Sequence, residues 1–395
     1  MDEVFQKVKT AETTNYNFIT FVMFWCALIV VSSVYVTTPL IIPFTNQFVV
    51  SQSLAAWTSS SFSLFYGIGF LLFGPLAERF GRKRIIAYGL ASLTIITCMI
   101  GFIHSFWALV ILRGIQGFIA STFAPTALAY VFDLFPKNKI ATVVGFISFG
   151  YVTAGIFGQV VSDLINQTFD WQYVFILFSI LYFLTFLCVQ FGLPSTGKGI
   201  AHKGIEYYIH QAKVIFSQKN FIFCYTITIF LLMTFIGMYT VLGDYLGGAP
   251  FHLTDKEILY VRAIGIFGMI LSPLAGSIVR KIGLMATLRL GLGISIIGLF
   301  LLGFGKHLMV IVSMSVLYVA GISLIFPAIM MVVGQLGGKQ RALANSFYAF
   351  ILFIGAMLGP LVAIGLMNLG SYLLTFGVLA ILLAIALLVS FFIKI

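Results

Sequence analysis

Polar residues occur in this chain mainly as punctuation. Apolar runs of about 20 residues, the length that carries a helix across a bilayer, follow one another almost from end to end. They fall at about 17–43, 54–76, 84–104, 107–131, 140–165 and 172–193, and, after a polar stretch, at about 220–246, 258–279, 284–304, 307–334, 343–367 and 370–393. The runs are continuous and do not alternate apolar with polar residues, which excludes a transmembrane β-barrel. The pattern predicts an all-α membrane protein of twelve transmembrane helices. The first run is too long for the apolar core of a signal peptide and follows polar residues of mixed charge, so it is expected to remain as a helix.

Composition agrees. The 395 residues are 61% hydrophobic and 8% charged, too few polar side chains to cover a water-soluble surface. The net charge of +11 does not point to nucleic acid, because the basic residues form short clusters between apolar runs, as membrane orientation requires. All but four of the 22 Lys and Arg lie in the N-terminal segment, in alternate loops or at the C-terminus; Lys256 and Lys306 stand in the opposite loops, and Arg113 and Arg262 inside runs. Both termini are therefore expected on the cytoplasmic side. Cys26, Cys98, Cys188 and Cys224 lie singly in apolar runs and read as packing residues, and no metal or cofactor is expected. The five histidines lie at run edges or in loops, and no phosphate-binding loop occurs, so neither an intramembrane enzyme nor an ATP-driven pump is expected.

The chain repeats itself. Gly74-Pro-Leu-Ala-Glu78-Arg79-Phe-Gly81 is echoed by Gly276-Ser-Ile-Val-Arg280-Lys281-Ile-Gly283, each glycine displaced by 202 positions. Ala154-Gly155-Ile-Phe-Gly158 parallels Gly355-Ala356-Met-Leu-Gly359, displaced by 201. Two matches at nearly one offset predict a duplicated six-helix unit: bundles at 1–193 and 220–395, pseudo-symmetric, joined by a linker at 194–219. Within the linker, Ile205 to Phe216 reads either as an amphipathic helix on the membrane surface or as a disordered connection.

The segment Gly74–Arg84 closely resembles the signature loop of the major facilitator superfamily. Its chemistry is legible without the name. Gly74 would permit close helix approach and Gly81 a sharp turn, while Glu78, in place of the family's usual Asp, can accept charge-assisted bonds. Gly74, Glu78, Arg79, Gly81, Arg82, Lys83 and Arg84 are thus a candidate conformational latch; the plain alternative is a positive-inside anchor. Arg113-Gly114-Ile-Gln116-Gly117 is similar to the fourth-span pattern of proton-coupled antiporters in that superfamily, and the resemblance implies a part for Arg113 in proton coupling. An arginine there costs at least ~2.5 kcal/mol unless partnered, and snorkelling to the interface is the alternative. Gly150, Gly155 and Gly158 keep the small residues of a fifth-span hinge motif but lack its proline. Asp170-Trp171-Gln172-Tyr173 and Asp133-Leu-Phe-Pro136-Lys-Asn-Lys139 resemble two further landmarks of the same family.

The resemblance covers the whole chain and looks most like the twelve-span, bacterial drug:proton antiporter group. It implies a multi-pass protein of the bacterial cytoplasmic (inner) membrane, monomeric, moving a small molecule against protons by alternating access. The fold implies a cavity between the halves, for which Tyr35, Thr38, Gln116, Thr122, Tyr239, Tyr318 and Asn345 are candidates. No acid lies at the centre of a run; Asp163 and Asp244 are the most embedded and join Arg113 and Arg262 as proton-coupling candidates, with Asp244 and Arg262 a plausible ion pair across a short loop. An anionic or zwitterionic cargo held by Arg113 or Arg262 is one expectation. Import of a sugar or other metabolite, and a non-transporting receptor, are the competing readings.

Overall fold

A break in the first span shows how the local sequence shapes the fold. Helix α1 (Tyr16–Ser32) gives way at residues 33–40 to a string of turns before α2 (Ile41–Phe48). Pro39 accounts for much of this, since it has no N–H to donate and it keeps Thr38 out of the helical region. The sequence pattern predicts one continuous helix here; the structure has two pieces.

The computed structural model describes residues 15–195, 212–305 and 307–394, with the backbone alone at a few positions inside these ranges, Glu78 among them. The first half continues with α3 (Gln52–Ala55), α4 (Trp57–Phe80), α5 (Arg82–Ile100), α6 (Phe106–Ala120), α7 (Ala124–Leu134), α8 (Lys137–Thr168) and α9 (Trp171–Gly192). The second half comprises α10 (Lys219–Gly247), α11 (Asp255–Ile264), α12 (Ile266–Met269), α13 (Leu271–Ile282), α14 (Leu284–Leu302), α15 (Leu308–Gly337), α16 (Arg341–Leu369) and α17 (Tyr372–Ser390). Among the described residues there is no strand. Among the described residues, ten helical stretches are long and apolar enough to cross a membrane; an eleventh, Lys256–Met269 with Leu274–Ile282, is bent by 45°, and the apolar Tyr16–Ser32 is shorter. These occupy the twelve positions that the hydrophobic pattern predicts. The linker expected at 194–219 falls mostly on 196–211, outside the described residues; 212–217 are helical.

The duplication is visible in atomic contacts. Gly81 and Gly283 turn the chain with φ of 94° and 90°, a region closed to side chains with a Cβ. A Cβ at Gly158 would lie 2.5 Å from the Ser32 carbonyl oxygen, and one at Gly359 would lie 2.8 Å from that of Met233. Both glycines and both carbonyls are 201 positions apart, so each half presses its fifth helix backbone-to-backbone against its first, the close approach that small residues permit in membranes. Gly359→Val is therefore expected to destabilise the protein by about 1–3 kcal/mol, because a backbone carbonyl cannot swing away. Thermal unfolding in detergent checks this, with Gly293→Val, where a Cβ meets nothing within 4 Å, expected to change little.

Candidate functional site

Among the described residues, Arg113 on α6 is the largest fully buried side chain, with 0% exposure. Its Nε donates to the Thr58 carbonyl (3.1 Å), one terminal nitrogen to Gln116 Oε1 (2.6 Å) and the other to the Ser33 carbonyl (2.9 Å). The guanidinium lies 4.2 Å from the Phe62 ring centroid, with Phe175 at 5.9 Å. Ser33 stands where the first span loses its helical bonding, so the arginine supplies a donor that the broken helix no longer provides. Carbonyl dipoles and ring faces take the place of water around the charge. Snorkelling is excluded by this burial. Gln116 does share Arg113's face, but its amide nitrogen donates to Thr97 Oγ1 (2.7 Å), so both ends of the side chain are engaged inside the first half.

The halves meet along two seams. In one, α4 faces α16: Ser60 Oγ donates to the Met357 carbonyl (2.6 Å), the rings of Tyr66 and Phe353 are 4.4 Å apart, and Gly67 abuts Phe350. In the other, α8 faces α11 and α12: Arg262 pairs with Asp163 at 2.6 Å, both side chains at or below 10% exposed, Gly155 touches Phe235 and Met269, and Gly265 lies against Ile156. The basic loops expected in the cytoplasm lie at one face of the molecule, and this ion pair lies toward the opposite, far face. A small cavity of about 30 Å³, room for roughly one water, sits beside it and is lined by Thr38, Gln52, Thr240, Asp244 and Arg262 among others. The partner of Arg262 is thus Asp163 and not the expected Asp244, which accepts a bond from the Tyr372 hydroxyl (2.8 Å). Gly243 leaves room for the guanidinium, since a Cβ there would lie 2.7 Å from it.

Toward the basic face, close approach ceases at two equivalent glycines. Gly74 lies two turns beyond Gly67 on the same face of α4, and Gly276 lies on α13, past the bend that follows Met269. A Cβ at either would meet nothing within 4 Å. The close approach expected at Gly74 is therefore absent in this arrangement. Within the signature loop Arg82 pairs with Asp133 and donates to the Ala129 carbonyl, both in its own half. Arg79 lies over the ring of Phe80, Lys83 is half-buried, and Arg84 is exposed; the side chain of Glu78 lies outside the described residues.

The remaining candidates divide. Tyr35 sits in the first-span break, edge-on to Phe235 of the other half at 6.0 Å, and Thr38 lines the small far-face cavity. Tyr239 is buried at the seam, its hydroxyl beside Gly265 and without a hydrogen-bond partner. Asn345 carries a buried, unpartnered Oδ1. Thr122 instead presses on Gly89 of α5, and Tyr318 donates to Thr234 Oγ1 (3.0 Å); both are spent inside their own halves. Gly150 and Gly158 pack on the first span, and only Gly155 faces the other half. The helix α8 runs unbroken through all three, and in this arrangement each is a packing contact. Sequence reasoning missed Tyr66 and Phe353, whose rings meet across the seam. Their signal was an aromatic stripe at helical spacing (Phe62, Tyr66, Phe70), which reads equally as core or as lipid-facing surface until the neighbours are placed. No group of three or more His, Cys, Asp or Glu that could hold a metal gathers among the described residues.

Comparison with known proteins places this architecture. An uncharacterised transporter of Buchnera aphidicola (from Schizaphis graminum) is 22% identical over 351 residues, 88% of this chain and 84% of that protein. The multidrug resistance protein MdtG of Proteus mirabilis is 26% identical over 254 residues, 62% of each chain. Among solved structures, a bacterial homologue of the human lysosomal transporter Spinster, inward-facing and unoccupied, superposes with a TM-score of 0.73 at 17% identity, covering 96% of both chains. The sequence profile described as Major Facilitator Superfamily matches residues 23–337 and, in an overlapping alignment, 263–395. With the profile spanning most of the chain and two docked halves of the expected architecture, the protein belongs to the major facilitator superfamily of transporters.

Proposed function

We propose that the protein exports small amphipathic molecules from the bacterial cytoplasm by alternating access, in exchange for protons. The carrying observation is the geometry of the seams, in contact toward the far face and with free space beside Gly74 and Gly276 toward the basic one. If the basic loops face the cytoplasm, as the distribution of Lys and Arg argues, this arrangement is open inward and closed outward. Similarity to MdtG supports an efflux reading. Among the proton-coupling candidates, Asp163 is favoured. It is buried against Arg262 of the other half and would meet the outer solution once the halves part there. A carboxylate whose surroundings alternate in this way takes up a proton more readily in one state than in the other, as coupling requires. Arg113, sealed within one half, is better read as scaffold.

Flux in inverted membrane vesicles tests the proposal. With an acid interior, uptake of at least one member of a panel of neutral, cationic and zwitterionic aromatic compounds is expected to exceed uptake without the gradient, and Asp163→Asn is expected to abolish the excess. Saturable uptake that ignores the gradient would remove proton exchange and favour a facilitator or importer. Absence of any saturable flux would overturn export.

A further inference from the structure

Arg262 is the charge that an opening of the far face would strand. It stands buried on α11 and pairs across the seam with Asp163 of α8 at 2.6 Å, while its Nε has no partner. Parting the halves there breaks the pair, and its two members fare differently. Asp163 keeps a donor on its own helix, since Gln167 Nε2 reaches its Oδ1 at 3.3 Å. Among the described residues, the Arg262 side chain forms no hydrogen bond within its own half in this arrangement. A buried charge stripped of its partner is costly, and a far-open state would carry that cost in every cycle.

The second half holds a replacement. Thr240, Gly243 and Asp244 stand at i, i+3 and i+4 and so share one face of α10, and all three line the small far-face cavity together with Arg262. The guanidinium lies against that face, because a Cβ at Gly243 would be 2.7 Å from its Nη2. Asp244 and Arg262 therefore border one space of about 30 Å³, the size of roughly one water. In this arrangement the Tyr372 hydroxyl donates to one Asp244 oxygen at 2.8 Å. A carboxylate with one such bond retains the acceptor capacity to take a guanidinium nitrogen as well. The cavity's other wall, Thr38 and Gln52 among its residues, belongs to the first half. That wall would withdraw when the halves part, leaving Arg262, Gly243 and Asp244 together in the second. Glu257 does not compete, since it caps the start of α11 through Thr254 and, five positions from Arg262, is off its face.

We propose that Arg262 changes partner each time the far face opens, from Asp163 across the seam to Asp244 within its own half. Asp244 is then the positioning residue that lets the outer ion pair break without orphaning the arginine. The exchange rests on the alternating-access reading above and supplies the group that balances its outer gate. It also releases Asp163 to meet the outer solution at the moment the face opens. An arginine held in both states is not left over for an anionic cargo, the role that the sequence allowed it.

Pulsed dipolar spectroscopy tests the exchange in full-length protein in lipid nanodiscs, with the four native cysteines changed to alanine. Spin labels at Phe169→Cys and Leu369→Cys, exposed residues at the far ends of α8 and α16, report the ratio of far-open to far-closed molecules. Asp163→Asn, which releases Arg262 from the seam, gives a background in which the open form is populated. Adding Asp244→Asn, which keeps the shape of the side chain and an oxygen for Tyr372, is expected to lower the open-to-closed ratio by about tenfold or more. Adding Asp244→Glu, which keeps the charge, is expected to preserve most of the opening. In an Arg262→Gln background, with no guanidinium to receive, Asp244→Asn is expected to leave the ratio unchanged. An unchanged ratio when Asp244→Asn joins Asp163→Asn, or an equal drop with and without Arg262, would overturn the exchange and leave alternating access standing. A single closed distance in every variant, Asp163→Asn included, would overturn alternating access and the exchange with it.

Discussion

Asp163→Asn is expected to open the far face of the molecule. The substitution keeps the shape of the side chain and removes its charge, leaving Arg262 buried with an Nε that already lacks a partner. Breaking a buried ion pair from one side costs about 3–5 kcal/mol, about two to nearly four powers of ten in an equilibrium constant. Because the pair joins α8 of one half to α11 of the other, that loss falls on the docking of the halves and not on either half alone. The readout is the rate at which a membrane-impermeant maleimide, applied from outside, labels a cysteine placed at Thr240 on the lining of the small far-face cavity. The rate should rise by tenfold or more in Asp163→Asn. It should fall back when Arg262→Gln is added, since the double variant buries no lone charge. Labelling that stays slow in the single variant would show that the aromatic seam between Tyr66 and Phe353 keeps the halves closed without help from charge.

Arg113→Met should act differently, on the first half itself. The thioether matches much of the arginine's volume but leaves the Ser33 and Thr58 carbonyls without their donor. Each buried orphan costs about 1–3 kcal/mol, so a total loss of about 2–6 kcal/mol is expected, visible as a lower thermal midpoint in detergent. Arg113→Lys should recover only part of this. A lysine keeps the charge but cannot reach two carbonyls and Gln116 in one planar fork. An unchanged midpoint in Arg113→Met together with lost gradient-driven uptake would return the residue to proton coupling, the role that the motif resemblance implied.

The two variants also mark what the sequence could and could not say. Spans, the duplicated unit and the sharp turns at Gly81 and Gly283 were legible because each follows from local chemistry: apolar length, repeated spacing, and a backbone position that only glycine tolerates. That Gln116 would share a face with Arg113 was legible too, since residues three apart on a helix are neighbours. The partner of Arg262 was not. Asp244 is near in sequence and the loop between is short, whereas Asp163 lies 99 positions away in the other half and meets Arg262 only through the docking of two bundles. Gln116 and Thr122 looked like cavity residues because polarity inside an apolar run draws the eye. The structure turns both toward neighbouring helices of their own half. Helical periodicity gives the faces of a span but not which of them looks at lipid, at its own bundle or at the other half.

The empty ground beside Gly74 and Gly276 carries a consequence of another kind. A side chain grown at either glycine meets nothing within 4 Å, so heating the molecule in this arrangement would score the change as harmless. In the transport cycle proposed here, the same side chain would stand like a wedge when the halves rock shut over the basic face. Such positions answer to a shape the protein visits rather than to the one in which it rests. Selection there would be felt as lost turnover with no loss of folded protein. A redesign guided by stability alone would be free to fill both glycines, and would produce a sturdier molecule jammed open.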